Sequence, residues 1–355
     1  MQGVPRANRL RCRPCQPARR HPALRPGWPC LLLAWAAAAG VSANGAPTAA
    51  VTQVAPSVFV HIGALGDRGP AKGGDVANTG LVVGSHCAAV LDTGSTPAVG
   101  QALRAAIEQA TPLPARDIIN THAHPDHLLG HVAFVSAGAS PNPAPPQIIA
   151  SERFSRTLVT REPSYRNALQ RDFGIALGPA AIIYPGFGVD STMDIDLGDR
   201  VLTLQARPTA HTDNDPSVYG QRTRTLFASD LLFVQHLPVL DGSLRGGVSA
   251  MAVLTRQAVA TVVRGHGPVS HDWPAVMDAQ GDCLNGLLQD TRAAIRTRLT
   301  IAQAIDRIGV APALRGPATD WLLTDRFHRR NVTAAYAALE WKEEAPTLAT
   351  EPPRP

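Results

Sequence analysis

The stretch Asn120-Thr121-His122-Ala123-His124-Pro125-Asp126-His127 holds three imidazoles and a carboxylate within six residues. Side chains of these two types bind zinc and similar divalent ions. In an extended backbone the side chains at i and i+2 point the same way, so His122 and His124 can close on one ion. The chain then turns, and adjacent Asp126 and His127 can face a second ion beside the first. The competing reading is a solvated histidine-rich loop, which loses ground if further ligands follow in order.

Three later residues qualify. His211 lies in Thr209-Ala210-His211-Thr212, behind a hairpin predicted from 193–197 and 201–204 around Gly198-Asp199. Asp230 emerges from the apolar run 225–229, which pairs with 218–219. His266 sits in Gly265-His266-Gly267-Pro268, behind a strand predicted over 261–264. Singly, each would more often be structural than metal-binding.

The elements that must position them follow from periodicity. Residues 58–62 alternate as a strand, and 81–83 with 88–91 form a hairpin around Gly84-Ser85. His61 and His86 read as strand or turn residues, and Gly73-Gly74-Asp75 as a flexible edge of the site. Pro97 opens a helix whose apolar stripe is Val99, Leu103, Ala106, Ile107 and Ala110. A short buried strand at 118–119 then delivers His122 at its carboxyl end. Residues 137–146 read as a linker, 147–150 as a strand, 151–170 and 251–260 as helices, and 276–339 as mostly helical. Strand, helix, strand, then ligands in a loop is an α/β arrangement with sites at strand ends.

The pattern His-x-His-x-Asp-His, followed by His211, Asp230 and His266, resembles the metallo-β-lactamase superfamily of metallohydrolases. The resemblance implies an αββα sandwich of two mixed sheets flanked by helices over 57–275, with C-terminal helices and a tail over 276–355. It implies two zinc ions: His122, His124 and His211 on one, Asp126, His127 and His266 on the other, and Asp230 touching both. Asp92, in Asp92-Thr93-Gly94, matches an aspartate that sits beside the metals and orients a ligand imidazole. Many relatives carry Gly before the counterpart of Asp230, and Ser229 departs from that. Oxygen-reducing di-iron relatives usually place a glutamate where this chain has His124, which disfavours redox iron.

A narrower resemblance rests on Gly74-Asp75-Val76-Ala77-Asn78, His211-Thr212-Asp213-Asn214-Asp215 and His236-Leu237-Pro238-Val239-Leu240-Asp241-Gly242-Ser243-Leu244. These are similar to the exported quinoprotein relay system zinc metallohydrolases, linked to pyrroloquinoline-quinone-dependent alcohol oxidation. His236 and Arg245 are then expected near the mouth of the site as substrate contacts. Two ions about 3.5–4 Å apart would generate a hydroxide near neutral pH and stabilise both attack and leaving group on an ester, thioester, lactone or lactam. Asp126 would hold the proton of the attacking group as the catalytic carboxylate. A reading from another class is a non-catalytic periplasmic carrier of metal or substrate, accessory to quinoprotein dehydrogenases.

The chain has 355 residues, 45% of them apolar, enough for a substantial core. Arg6, Arg9, Arg11, Arg13, Arg19, Arg20 and Arg25 precede any acidic residue, and the apolar run 30–41 behind them ends in Val41-Ser42-Ala43. This reads as a signal peptide over 1–43, with 44–56 as a tether and a periplasmic or secreted destination. The apolar run is shorter than the roughly 20 residues of a membrane span. Losing those seven charges would turn the formal +5 into −2, which removes the main argument for a nucleic-acid partner and leaves a small-molecule substrate. Outside the leader only Cys87 and Cys283 remain as a candidate disulfide.

Overall fold

The computed structural model describes residues 8–11, 48–135, 145–309 and 320–341. Strand β1 (Asn8–Arg11) joins the second of two sheets, whereas the next seven pair in chain order into the first. These are β2 (Thr52–Ala55), β3 (Val58–His61), β4 (Thr79–Val83), β5 (Ala88–Leu91), β6 (Ala115–Ile119), β7 (Gln147–Ser151) and β8 (Phe187–Val189). The second sheet continues from β1 with β9 (Thr192–Asp196), β10 (Val201–Ala206), β11 (Pro216–Gly220), β12 (Thr225–Ser229) and β13 (Thr261–Arg264). Both sheets are mixed: β2 to β5 pair antiparallel and β5 to β8 parallel, while β9 to β12 pair antiparallel and β12 with β13 parallel.

The helices are α1 (Pro97–Ala110), α2 (Pro125–Leu128), α3 (Val132–Val135), α4 (Phe154–Phe173), α5 (Leu244–Leu254), α6 (Asp278–Arg296), α7 (Ile301–Ile308) and α8 (Thr324–Leu339). Alternation along the strands divides the apolar side chains between layers. Leu91, Ile119 and Ile149 meet Ile195, Leu204 and Phe227 between the sheets. On the outer face of the first sheet, Leu81, Val90 and Ile118 pack with Leu103 and Ile107 of α1. On the outer face of the second, Leu226, Ala228 and Val262 pack with Leu254, Leu284, Leu287, Val332 and Tyr336. The result is the expected helix–sheet–sheet–helix sandwich, and α6 to α8 share its core rather than standing apart from it.

Several boundaries differ from expectation. Thr52–Ala55, inside the 44–56 tether, pairs with β3 as an edge strand. Helix α4 starts and ends three residues later than 151–170, because Ser151 stays in the sheet beside Val189. Helix α5 starts seven residues before the expected 251–260 and covers only its first four positions: the Ser243 side chain accepts from the Gly246 amide and starts the helix there. Glycines at 246 and 247 hide that start from propensity. Gly246 is required, since a Cβ there would lie 1.8 Å from the Thr209 carbonyl. The expected leader apart from 8–11, its expected cleavage site, residues 137–144 of the expected linker and the tail after 341 lie outside the described residues. Cys283 is a free buried thiol, so it does not pair with Cys87. Among the described residues no helix is long and apolar enough to cross a membrane.

Candidate metal centre

One rim of the sandwich collects the carboxyl ends of the strands that matter. The chain leaves β5 into Asp92, β6 into His122, β12 into Asp230 and β13 into His266, and the loop after β10 brings His211. Helix α1 closes the first turn: Thr96 caps it by accepting from the Val99 amide at 3.1 Å, with Pro97 at its first position. The ligand loop is buttressed by α4, whose Tyr165 hydroxyl donates to the Ala123 carbonyl at 2.7 Å. Phe154, Leu158 and Leu169 of α4 are fully buried against Leu128 and Leu129. Each contributes about 1.5–3 kcal/mol by burial, so the loop is held by packing as well as by its own turn. Behind His266, Asn78 donates to the Arg264 and Gly267 carbonyls at 2.9 and 2.6 Å. The glycine-containing edge before it is thereby tied to the site.

All seven predicted ligands converge. The ligand atoms of His122, His124, His211 and Asp230 lie within 4.8 Å of one another, and so do those of Asp126, His127 and His266. His211 Nε2 is 3.1 Å from His124 Nδ1 and 3.4 Å from Asp230 Oδ2, which is 3.7 Å from His122 Nε2. His266 Nε2 is 3.5 Å from Asp126 Oδ2 and 3.4 Å from Asp230 Oδ2, and His127 Nε2 is 3.5 Å from Asp230 Oδ1. Asp230 therefore stands between the two groups. Donors about 2.1 Å from a common tetrahedral centre are about 3.4 Å apart, the spacing found here.

The imidazoles are pinned so that their free nitrogens face inward. His127 Nδ1 donates to Asp92 Oδ2 at 2.8 Å, His211 Nδ1 to the Val239 carbonyl at 2.8 Å and His266 Nδ1 to the Val76 carbonyl at 2.9 Å. His124 Nε2 donates to Asp241 Oδ2 at 2.8 Å, and Arg161 Nη1 reaches the same oxygen at 2.5 Å. Thr121 Oγ1 gives its one proton to Asp92 Oδ2 at 2.7 Å, so it can only accept from His122 Nδ1, 3.2 Å away. Every second nitrogen thus presents a lone pair to the centre. His122 Nε2, His127 Nε2 and Asp230 Oδ1 are buried without a hydrogen-bond partner. Lone pairs facing one another in a buried space require a cation or protons between them.

The electrostatics make the same demand. Burial opposes charge on His127, yet Asp92, Asp230 and Asp126 raise its pKa to about 10. Burial also opposes ionisation of Asp230, but His266, His127 and His122 hold it well below the usual carboxylate range. His122, deeper and crowded by the other imidazoles, is pushed down by burial first and by His127 next. Carboxylates and neutral imidazoles in this arrangement fit divalent metal ions.

Backbone geometry sharpens the placement. Asp92 and Ser229 have φ of +58° and +48°, the left-handed region that costs a non-glycine residue about 1–2 kcal/mol. Ser229 occupies it with its hydroxyl 2.7 Å from Thr121 Oγ1. Gly265 must lack a side chain, because a Cβ would fall 1.7 Å from Asp230 Oδ1.

Of the remaining expected residues, Asp92 holds His127 as foreseen. His236 lines the cavity above the ligands, stacked on His266 at 5.5 Å, with its pKa lowered to about 4 by burial and by His266. Arg245 is exposed on the first turn of α5 and does not line that cavity. Sequence reasoning missed Thr121, Asp241 and Arg161. Asp241 was within reach, since it lies in the quoted segment 236–244; the Val76 and Val239 carbonyls left no residue-type signal.

The model of the metallo-beta-lactamase superfamily matches residues 73–273. Among solved structures, a metallo-beta-lactamase from Pontibacter korlensis superposes with a TM-score of 0.53 at 19% identity, covering 67% of this chain and 99% of that one. A stereoselective inverting sec-alkylsulfatase from Pseudomonas sp. gives 0.62 at 15% identity, covering 82% of this chain and half of that one. No curated protein matches. At these identities the superpositions speak to the fold alone. The family match, however, spans more than half of the sequence and runs from the glycine-containing edge through His266, and on that ground the chain belongs to the metallo-beta-lactamase superfamily.

Proposed function

We propose that the protein is a dinuclear zinc hydrolase that cleaves an ester, thioester, lactone or lactam of small size. The observation that carries this reading is the convergence of seven ligand side chains, three of which, His122, His127 and Asp230, turn a buried nitrogen or oxygen without a hydrogen-bond partner into the cluster. His122, His124 and His211 would hold one ion, Asp126, His127 and His266 the other, with Asp230 between them. Zinc at such a site lowers the pKa of water toward neutrality and polarises an acyl carbonyl. Asp126 is more open to the cavity than Asp230, with side chains 16% and 5% exposed, and is therefore the carboxylate placed to accept a proton from attacking water. His236 and Phe233 wall the cavity, whose volume of about 340 Å³ suits a small molecule. The arginine-rich leader with its apolar run supports export, and the three motifs shared with quinoprotein relay metallohydrolases support a role beside a quinoprotein dehydrogenase.

Purified protein should hydrolyse members of a panel of 4-nitrophenyl esters, thioesters, lactones and lactams, lose that activity to a chelator and regain it with zinc at two ions per chain. Tight binding of two ions with no turnover of any member would instead make the protein a carrier. Replacement His211→Ala should abolish both activity and full zinc content, and unchanged stoichiometry would reject its assignment.

A further inference from the structure

The cavity over the ligands is walled by four arginines, Arg68, Arg161, Arg326 and Arg330. The carboxylates that line the mouth above the ligands are already engaged: Asp241 with Arg161, and Asp67 with Arg326. Asp172 is held below the usual carboxylate range first by Arg171, which bonds it at 2.6 and 2.8 Å, and only then by Arg68 and Arg326. Arg68 and Arg330 therefore have no carboxylate within 4.0 Å among the described residues. Instead each guanidinium lies over an aromatic ring, Arg68 5.6 Å from Phe173 and Arg330 5.6 Å from Phe327. Stacking fixes the plane of a guanidinium and leaves its N–H fork free. Arg68 Nη1 is buried with no hydrogen-bond partner, a donor that costs stability unless something accepts from it.

The wall that carries Arg330 is fixed in place. Asn331 is buried, donates to the Pro238 carbonyl at 2.6 Å and accepts from the Leu240 amide at 3.0 Å, while Leu237 and Leu322 exchange a backbone bond at 3.0 Å. Helix α8 is thus clamped to the segment 236–240 that covers the ligands, although it lies beyond the residues of the family match. Bound dications would add to the positive field of this mouth.

We propose that the substrate carries an acid group, a carboxylate or an equivalent oxyanion, which Arg68 and Arg330 seat at the mouth while its apolar part lies on Phe233 and Phe327. The proposal rests on the hydrolase reading for the word substrate, but the anion site stands without it. A planar fork on each arginine matches the two oxygens of such a group.

The zinc-loaded protein should be compared on mono-(4-nitrophenyl) glutarate and 4-nitrophenyl butyrate, which share a leaving group and differ in a terminal carboxylate. Glutarate binding should be measured by calorimetry alongside. Wild type should prefer the anionic ester by about ten-fold or more in kcat/KM, chiefly through KM, and Arg68→Gln/Arg330→Gln should lose that preference and weaken glutarate binding by about as much. Arg222→Gln/Arg224→Gln, at a distant hairpin turn, controls for net charge. Equal or better turnover of the neutral ester by wild type overturns the proposal and leaves the hydrolase intact. Arginine-dependent glutarate binding with no turnover of either ester keeps the anion site and removes simple esters from the hydrolase reading. Absence of both turnover and arginine-dependent binding overturns the proposal.

Discussion

Asp92 shows how much a single carboxylate can organise. Its Oδ2 accepts from His127 Nδ1 and Thr121 Oγ1, and its Oδ1 from the Thr121 amide at 2.9 Å. It fixes one imidazole directly and a second through the threonine hydroxyl. Asp92→Asn keeps the shape but weakens both orienting bonds, so zinc affinity should fall by roughly 10- to 100-fold, as for other outer partners of ligand histidines. Competition with a chromophoric chelator measures this; an unchanged affinity would deny Asp92 its orienting role. Ser229 offers a second residue-scale test, because strain and hydrogen bonding pull apart. Ser229→Ala keeps the positive φ and loses the Thr121 contact, whereas Ser229→Gly loses the contact but relieves about 1 kcal/mol of strain. The alanine variant should therefore melt below the glycine variant in calorimetry.

At the scale of elements, α8 is the piece whose role is most easily underestimated. Its sequence reads as an amphipathic packing helix, and Val332, Ala335 and Tyr336 do pack on the second sheet. The opposite flank supplies Phe327 and Arg330 to the cavity, held by Asn331. Asn331→Ala strips partners from the Pro238 carbonyl and the Leu240 amide, and should cost about 1–3 kcal/mol of stability by urea titration. Because the same segment carries His236 and Val239, KM should rise more than kcat falls; a loss confined to stability would show that α8 only packs.

For the molecule as a whole, the ligands tie the two sheets together. His122 and His127 follow a strand of the first sheet, while His211, Asp230 and His266 follow strands of the second. A divalent ion such as the proposed zinc, bound across them, would act as a cross-link, and at about 1,000 times its Kd would add about 4 kcal/mol. For a chain of this size, with about 2.1 cal/mol/K of unfolding entropy per residue, that is roughly 5 °C in Tm. The increment has a pH sign. Metal-free His127 has its pKa raised from 6.5 to about 10, so its imidazolium stabilises the empty fold fully below 6.5 and is lost as pH rises toward 10. Zinc needs the neutral ring, and protons compete for it. The gap in Tm between zinc-loaded and chelated protein should therefore widen from pH 6.5 to 9, and a gap that is flat or narrows over that range would contradict the assignment of His127.

The sequence by itself determined which side chains could bind metal and, through alternating apolar runs before each of them, that they leave the ends of strands. Those are local properties: ligand chemistry resides in a side chain, and strand periodicity in its neighbours. It also carried most of the elements, from the capped α1 to the β9–β10 hairpin, because apolar spacing and turn residues act within a few positions. Only the tertiary structure decided which nitrogen of each histidine faces the centre, since that depends on the Val76 and Val239 carbonyls and on Asp241, which are far along the chain from the rings they hold. It likewise set Arg68 and Arg330, and not Arg245, in the wall of the cavity over the ligands. A carbonyl is the same in every residue and an exposed arginine is ordinary in any sequence. Each gains a specific role only when folding sets it against a particular partner.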